Sequence, residues 1–479
     1  MSKLPVPNST TSFWRAEPLP LDNHRSTPDL PAEVDIAVVG AGYAGASTVY
    51  HILQYCKEHA VPIPKIVILE ARQACSGATG RNGGQLKPDP FNRPASIAAK
   101  YGMAAAAECA SFEAAHVPAI KRVVEENNID CDFVLTRCCD VSMTDAGYAR
   151  MKAGADQLRK GGVAPVVGDL FTARGAQAEQ LSGVRGAKGC FTYTAGHLFP
   201  YKLIHGLLAL ALAQGGGRVN LQTNTPVTAA SRAPDAAGWL TLATTPERGT
   251  VRARTVVYAT NAYTASLLPE YKDRIVPVRG ICSHIAPPPS SSSSPGQPPA
   301  SPPRPPSLSM SYMLRWSPTA YEYLIPRLDG SIVVGGARSE YLSDLGCWYD
   351  NVGDDALIGA AAHYFDGYMQ RNFTAWEKTP IGATKVWTGI MGYASDNLPH
   401  IGAVPGRSNQ FILAGFSGHG MPQVFLSAKG VAAMVMGGVS FAESGVPRLY
   451  ETTQTRLDST INVPLEMWRA SLSQPAARL

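Results

Sequence analysis

Three glycines carry the clearest chemical meaning in the sequence. Gly40, Gly42 and Gly45 form a Gly-x-Gly-x-x-Gly hexad with Ala44 inside it. In this spacing the first glycine permits a tight turn and the second lets backbone approach a pyrophosphate. The third lets a helix pack closely on a strand. The helix that follows would offer free N–H groups and its positive dipole end to phosphates. Glu70, at the end of the next apolar run, is placed to accept hydrogen bonds from an adenosine ribose. This constellation reads as an adenine-dinucleotide site and leaves nicotinamide and flavin both open.

Residues 71–84 (ARQACSGATGRNGG) favour flavin, because a stretch so short of bulky side chains can press its backbone against a flat ring system. A second glycine turn, 415–422 (GFSGHGMP), follows an apolar strand at 411–414 and leads into a helix with Pro422 near its first turn. The dipole of that helix would face the N1–C2=O edge of an isoalloxazine and favour its reduced form.

The elements that must position these residues fall into two regimes. A strand at 34–39, a helix running to about Cys56 and a strand at 65–70 make a βαβ unit. Alternation at 321–326 and 331–334, with Asp329-Gly330 between, predicts an antiparallel hairpin. Two structural regimes in one chain make the expected fold class α/β plus α+β. Residues 1–32, polar and proline-rich, read as an N-terminal arm lying on the surface or disordered. Residues 287–306, ten prolines and six serines in twenty, read as a solvated loop inside a domain rather than a boundary.

Composition narrows the remaining classes. With 479 residues, 45% hydrophobic and 16% charged, the chain can build a real core, and a net charge of +5 leaves no footprint for nucleic acid or an anionic membrane. Nine cysteines without CxxC or Cys/His alternation suggest free thiols and no metal. No leader and no apolar run of the ~18 residues a membrane helix needs is evident, so a soluble intracellular protein is expected.

Taken in order, these residues resemble the FAD-dependent amine and amino-acid oxidase superfamily, of the D-amino-acid oxidase, glycine oxidase and sarcosine oxidase type. Within it the chain is most similar to the branch of gamma-glutamylputrescine oxidase and its fungal relatives. The resemblance covers about residues 10–440, including SFWRAEPLPLDNHRSTPDLP, SGATGRNGG, Tyr258 to Tyr263 (YATNAY) and GFSGHGM. It implies a Rossmann-type FAD-binding domain assembled from segments 33–95, 185–272 and 380–445. Interleaved with it would be a substrate domain on a mainly antiparallel sheet, 96–184 and 273–379, followed by a tail, 446–479. It also implies that Gly40, Gly42, Ala44, Gly45, Glu70, Ala71 and Arg72 hold the ADP half. Ser76, Thr79, Arg81, Asn82, Gly83, Gly84 and Gln85 would line the pyrophosphate and ring. Val227 would touch adenine through its backbone, with Thr260 and Asn261 also at the cofactor. Met391, Gly418, His419, Gly420 and Met421 would border the isoalloxazine. Two points depart from the pattern or test it: Gln85 stands where relatives often have histidine, and Cys75 lies in the loop without a motif placing it at the ring, so noncovalent FAD is expected.

The implied chemistry is hydride loss from the carbon next to a neutral amine nitrogen, giving an imine, with reoxidation by O2 to H2O2. Positioning matters there more than a strong base. Only one dinucleotide loop is present, so no NADPH site is expected. Substrate and catalytic candidates are Tyr312, Arg315, Tyr321, Tyr323 and Arg338 from the antiparallel sheet, with Lys385 as an oxygen-side cation and His419. Either arginine could clamp a carboxylate. The partners expected are a small amine and O2, with neither nucleic acid nor membrane. The alternatives are a pathway-specific oxidase whose imine drives cyclisation, a dehydrogenase with a protein acceptor, and a non-catalytic flavoprotein. The terminal Ala477-Arg478-Leu479 fits a peroxisomal address.

Overall fold

The computed structural model describes residues 4–287 and 306–472. The Gly40 hexad sits where its spacing demands, between the strand Glu33–Val39 and the helix Tyr43–His59, with Ile66–Leu69 closing the βαβ unit in parallel. Glu33–Val39 is central to an eight-stranded sheet. On one side lie Ile66–Leu69 and Val219–Gln222, on the other Thr250–Tyr258 and Gln410–Ala414, all parallel; His400–Ala403 closes that edge antiparallel. Such a sheet is buried on both faces, which is why its central strands read as continuous Val/Ile/Ala runs.

The second sheet has nine strands, and the predicted hairpin lies in its middle: Tyr321–Pro326 pairs antiparallel with Ile332–Gly336. Gly330, at φ 82°, makes the turn that a side chain would strain. Beyond the hairpin lie Ile275–Ala286 and Gly382–Ala394 on one side, and Ser311–Arg315, Val134–Ser142 and Gly189–His197 on the other. The Ser311–Arg315 and Val134–Ser142 pair is parallel, the exception in a mainly antiparallel sheet. Both strands flanking the Pro/Ser segment belong to this sheet, so it interrupts one domain; residues 288–305 lie outside the described residues.

Two expectations need correcting. Segments 185–272 and 380–445 do not belong wholly to the FAD-binding layer: Gly189–His197 and Gly382–Ala394 pair into the nine-stranded sheet, since their hydrogen-bonding neighbours lie there. The N-terminal arm is not a surface strip. Trp14 is 1% exposed and donates from Nε1 to the Asn82 carbonyl at 2.6 Å, and Ser12 Oγ donates to the Gly80 carbonyl. Burying an indole of ~150–250 Å² at ~25 cal/mol per Å² contributes roughly 4–6 kcal/mol before ordering costs. That is enough to pin the arm on the glycine-rich loop. No helix among the described residues is long and apolar enough to cross a membrane.

Candidate functional site

A cavity of about 720 Å³ lies where the two sheets meet. At one end the hexad glycines divide their labour. Gly40, at φ 113°, has no room for a Cβ, which would meet the Ala259 carbonyl oxygen at 2.6 Å. A Cβ on Gly45 would fall 1.8 Å from the Gly40 oxygen, so this glycine packs helix on strand and does not line the cavity. Gly42 does line it, and a Cβ there would meet only Thr79 Oγ1, at 3.6 Å. Gly42 is therefore bare on the side where a phosphate would sit. Glu70 accepts from the backbone N–H groups of Ala41 (2.8 Å) and Arg72 (3.0 Å), which fixes its carboxylate at the cavity wall.

Ala44, Ala71, Ser76, Thr79, Asn82, Gly83, Val227, Thr260 and Asn261 line the same space. Two of its hydroxyls, Ser76 Oγ and Tyr263 Oη, are buried without a hydrogen-bond partner. Unsatisfied buried donors cost stability, so a pair of them on residues that line one cavity, together with the bare Gly42 turn, fits an oxygen-rich ligand such as a pyrophosphate. A dinucleotide cofactor therefore fits the residues present.

Arg72 and Arg81 line the cavity but already have protein partners. Arg72 holds Asp354 bidentately, both contacts at 3.0 Å, and also donates to the Val6 and Ser76 carbonyls. Arg81 donates to Ser76, Thr10 and Thr388, with Asp354 at 3.5 Å. Asp354, fully buried in the segment after the helix Leu345–Trp348, thus ties the arm and the glycine-rich loop to that segment, while Arg81 reaches the second sheet at the Thr388 carbonyl. Burial pulls the Arg81 guanidinium down to about 10 despite that carboxylate. Sequence reasoning gave no sign of Asp354, which joins the loop across 282 positions.

Asn261, at φ 43°, accepts from Gly415 N–H at 3.1 Å and fixes the two halves of the cofactor region to each other. Gln85 lines the cavity, yet its amide donates to the Tyr312 and Leu324 carbonyls, so it carries the loop into the roof. Gly84, at φ 77°, lies off the cavity against the Leu198 carbonyl. Cys75 is also off it, and burial raises its thiol pKa.

At the other end, Tyr321, Tyr323, Arg315 and Arg338 face the cavity. Gly83 lies under Tyr323, whose ring a Cβ there would strike at 2.4 Å. Tyr312 does not face it: strand alternation turns Met313 and Arg315 inward and sends Tyr312 into the core behind the sheet, 5.2 Å from Phe373. Lys385 is absent from the lining as well. It pairs with His284, six residues and roughly 20 Å along the strand from Met391, which does line the cavity. The buried cation present instead is Lys87, which donates to Tyr193 Oη at 3.1 Å.

Gly418, His419, Gly420 and Met421 line the cavity ahead of the helix Val424–Gly437. Pro422 precedes that helix by two residues, in the entry turn that Gly420 to Val424 forms. His419 Nε2 lies 2.8 Å from Glu113 Oε2, a buried acid on the helix Met103–Glu126.

The basic groups in this half separate by partner. Arg315 holds Asp140 bidentately at 2.6 and 2.9 Å, Lys87 acts on Asp89, and His419 faces Glu113. Arg93 is tied to the Asn397 carbonyl. Among the described residues no acid pairs with Arg338. Burial opposes its charge, but the surrounding oxygens of Tyr393, Tyr321 and Tyr341 outweigh that and raise its pKa. Arg338 in turn helps draw Tyr321 below its ordinary value against the opposing effect of burial. Asp140 and Glu113 were not singled out in the sequence, since each meets its partner only through the tertiary fold.

Comparison with known proteins matches this arrangement. Residues 35–434 match the family model described as DAO, FAD dependent oxidoreductase. Gamma-glutamylputrescine oxidoreductase of Escherichia coli (strain K12) is 28% identical over 254 residues, 51% of this chain and 53% of that protein. The chain thus spans about half the length of this curated relative. In fold it is similar to glycine oxidase from Geobacillus kaustophilus (TM-score 0.64, 17% identity, 88% of this chain and 99% of that one). It is also similar to L-proline dehydrogenase from P. horikoshii (TM-score 0.64, 17% identity, 88% and 98%). The match runs from the first strand, through the hexad and both sheets, to the helix behind His419, and by it this chain is a member of the FAD dependent oxidoreductase (DAO) family.

Proposed function

We propose that this protein is an oxidase of a secondary amine or amino-acid-like substrate carrying a carboxylate, with noncovalent FAD, O2 as acceptor, and an imine and H2O2 as products. The observation that carries this reading is Arg338, a cation at the cavity with tyrosine oxygens around it and no acid beside it. An anionic ligand is what such a group lacks, and a guanidinium matches a carboxylate in two parallel hydrogen bonds.

FAD, when bound, supplies the hydride acceptor. The protein's part is to hold and orient. Arg338 and Tyr321 would fix the carboxylate, and Tyr323, packed directly on Gly83, would close the wall beside it. Arg315, neutralised by Asp140, would shape that roof rather than clamp. The Gly42 turn, Glu70 and the free hydroxyls of Ser76 and Tyr263 would hold the dinucleotide.

The test is anaerobic mixing of the yellow protein with a panel of amines and amino acids, followed by air. Bleaching, then recovery with peroxide, supports the oxidase. Bleaching without recovery would move the assignment to a dehydrogenase. The terminal Ala477-Arg478-Leu479 lies outside the described residues, and we propose it as a peroxisomal address. A reporter carrying the last dozen residues should become punctate, and a diffuse reporter would refute the address.

A further inference from the structure

Glu113 is an acid with a place in the site and no role in the chemistry derived so far. It is 3% exposed, on a helix otherwise packed through Ala106, Ala110, Val117 and Ile120. Three donors converge on it: His419 Nε2 at 2.8 Å and the Asp89 backbone N–H at 2.9 Å on Oε2, and Gln423 Nε2 at 2.7 Å on Oε1. Burial works against its charge, yet His419, Arg93 and these hydrogen bonds hold its pKa below the ordinary range. An ionised carboxylate accepts only, so the ring nitrogen facing it must carry the hydrogen. His419 Nδ1 has no protein partner among the described residues, and the side chain is one-fifth exposed and lines the cavity.

We propose that His419 is the proton acceptor for the substrate's ammonium group and that Glu113 is its positioning residue, fixing the Nε2–H tautomer so that Nδ1 is the free base. This rests on the amine-oxidising reading above. Amines of this class arrive mostly protonated at neutral pH, and a hydride leaves only when the nitrogen lone pair is free. In the step the ammonium N–H bond breaks, its electron pair stays on nitrogen, and the proton forms a bond to Nδ1. The resulting imidazolium is neutralised by Glu113, the arrangement that makes a histidine–carboxylate pair an effective base. The other titratable groups around the pair are Asp89 and Lys87 from the strand side, Arg93 from the helix Asn92–Tyr101, Cys109 and His116 from Glu113's own helix, and Tyr450 behind Gln423. Burial holds His116 neutral, down to about 4, so it does not compete.

Two readouts on the holoprotein test this. In ¹⁵N-histidine spectra, the ring signal missing from His419→Asn should show the Nε2–H tautomer with unprotonated Nδ1 in wild type, and should lose that preference in Glu113→Gln. In anaerobic flavin reduction by an amine that bleaches the wild type, the acid limb of the pH profile should move down by about one pH unit or more in Glu113→Gln, because a carboxylate favours the imidazolium. In His419→Asn it should move up to the amine's own pKa. An Nδ1–H tautomer in wild type, or spectra unchanged in Glu113→Gln, overturns the proposal. So does an acid limb that neither variant moves. If no amine bleaches the flavin, the amine-oxidising reading fails, while the spectra still decide whether Glu113 sets the tautomer.

Discussion

The cofactor end of the cavity is made of bare backbone and of arginines whose hydrogen bonds are already taken, whereas the roof is made of side chains from distant strands, one of them an arginine with no acid. At the first end, Gly42 and the Arg72–Asp354–Arg81 cluster leave nothing charged in search of a partner. At the second, Arg315 and His419 have their acids in contact, Lys87 has Asp89 nearby, and Arg338 does not. A site that must grip one fixed cofactor can be rigid, with its charges paired internally. A site that must recognise a passing anion has to keep a charge in reserve.

Breaking the first half at its cross-link should have the largest effect. Asp354→Asn leaves Arg72 and Arg81 buried without an anion, and such a loss costs about 3–5 kcal/mol. The melting temperature should fall, and the arm should become cleavable by protease near Trp14. An unchanged melting curve would mean that the cluster is ornamental.

Removing the reserve charge should come next. Arg338→Met should weaken binding of an aromatic carboxylate, read from the flavin difference spectrum, by about a hundredfold, with FAD retained. A smaller effect belongs to Gly42→Ala: the added methyl meets only Thr79, so the apoprotein should fold normally while FAD affinity drops roughly tenfold. Normal FAD affinity in that variant would displace the pyrophosphate from the turn.

Behind the roof, a buried carboxyl gives the mildest test. Burial pushes Glu322 up to about 8 from an ordinary 4.5, and Tyr364 donates to it at 3.0 Å. The folded chain therefore holds a proton there that the unfolded chain releases, and stability should fall as pH rises from about 4.5 to about 8, then level. Glu322→Gln should remove that contribution and raise the melting temperature by a few degrees at pH 8. A variant that melts lower at pH 8, with the same slope, would show that the carboxyl is ionised and needed.

The same division explains what could be read in advance. The hexad, the first βαβ unit and Glu70 are local, so spacing alone carried them. The predicted hairpin was local too. Parity along one strand also held usable information: Tyr312 and Arg315, three apart, cannot share a face of a regular strand, and only Arg315 faces the cavity. The partners Asp354, Asp140 and Glu113 were illegible because each reaches its base across 175 to 306 positions, a distance no motif spans. The arm misled because its prolines suit a surface strip, while a single buried tryptophan decides its place.

The most direct measurement of the central claim is an anaerobic flavin titration with an N-substituted amino acid that bleaches the protein, set beside its methyl ester. If Arg338 is the reserved anion receptor, the acid should bleach wild type at about a hundredfold lower concentration than the ester, and Arg338→Met should abolish that preference while still binding FAD. Equal bleaching by acid and ester in wild type, or a preference that survives in Arg338→Met, would contradict the account.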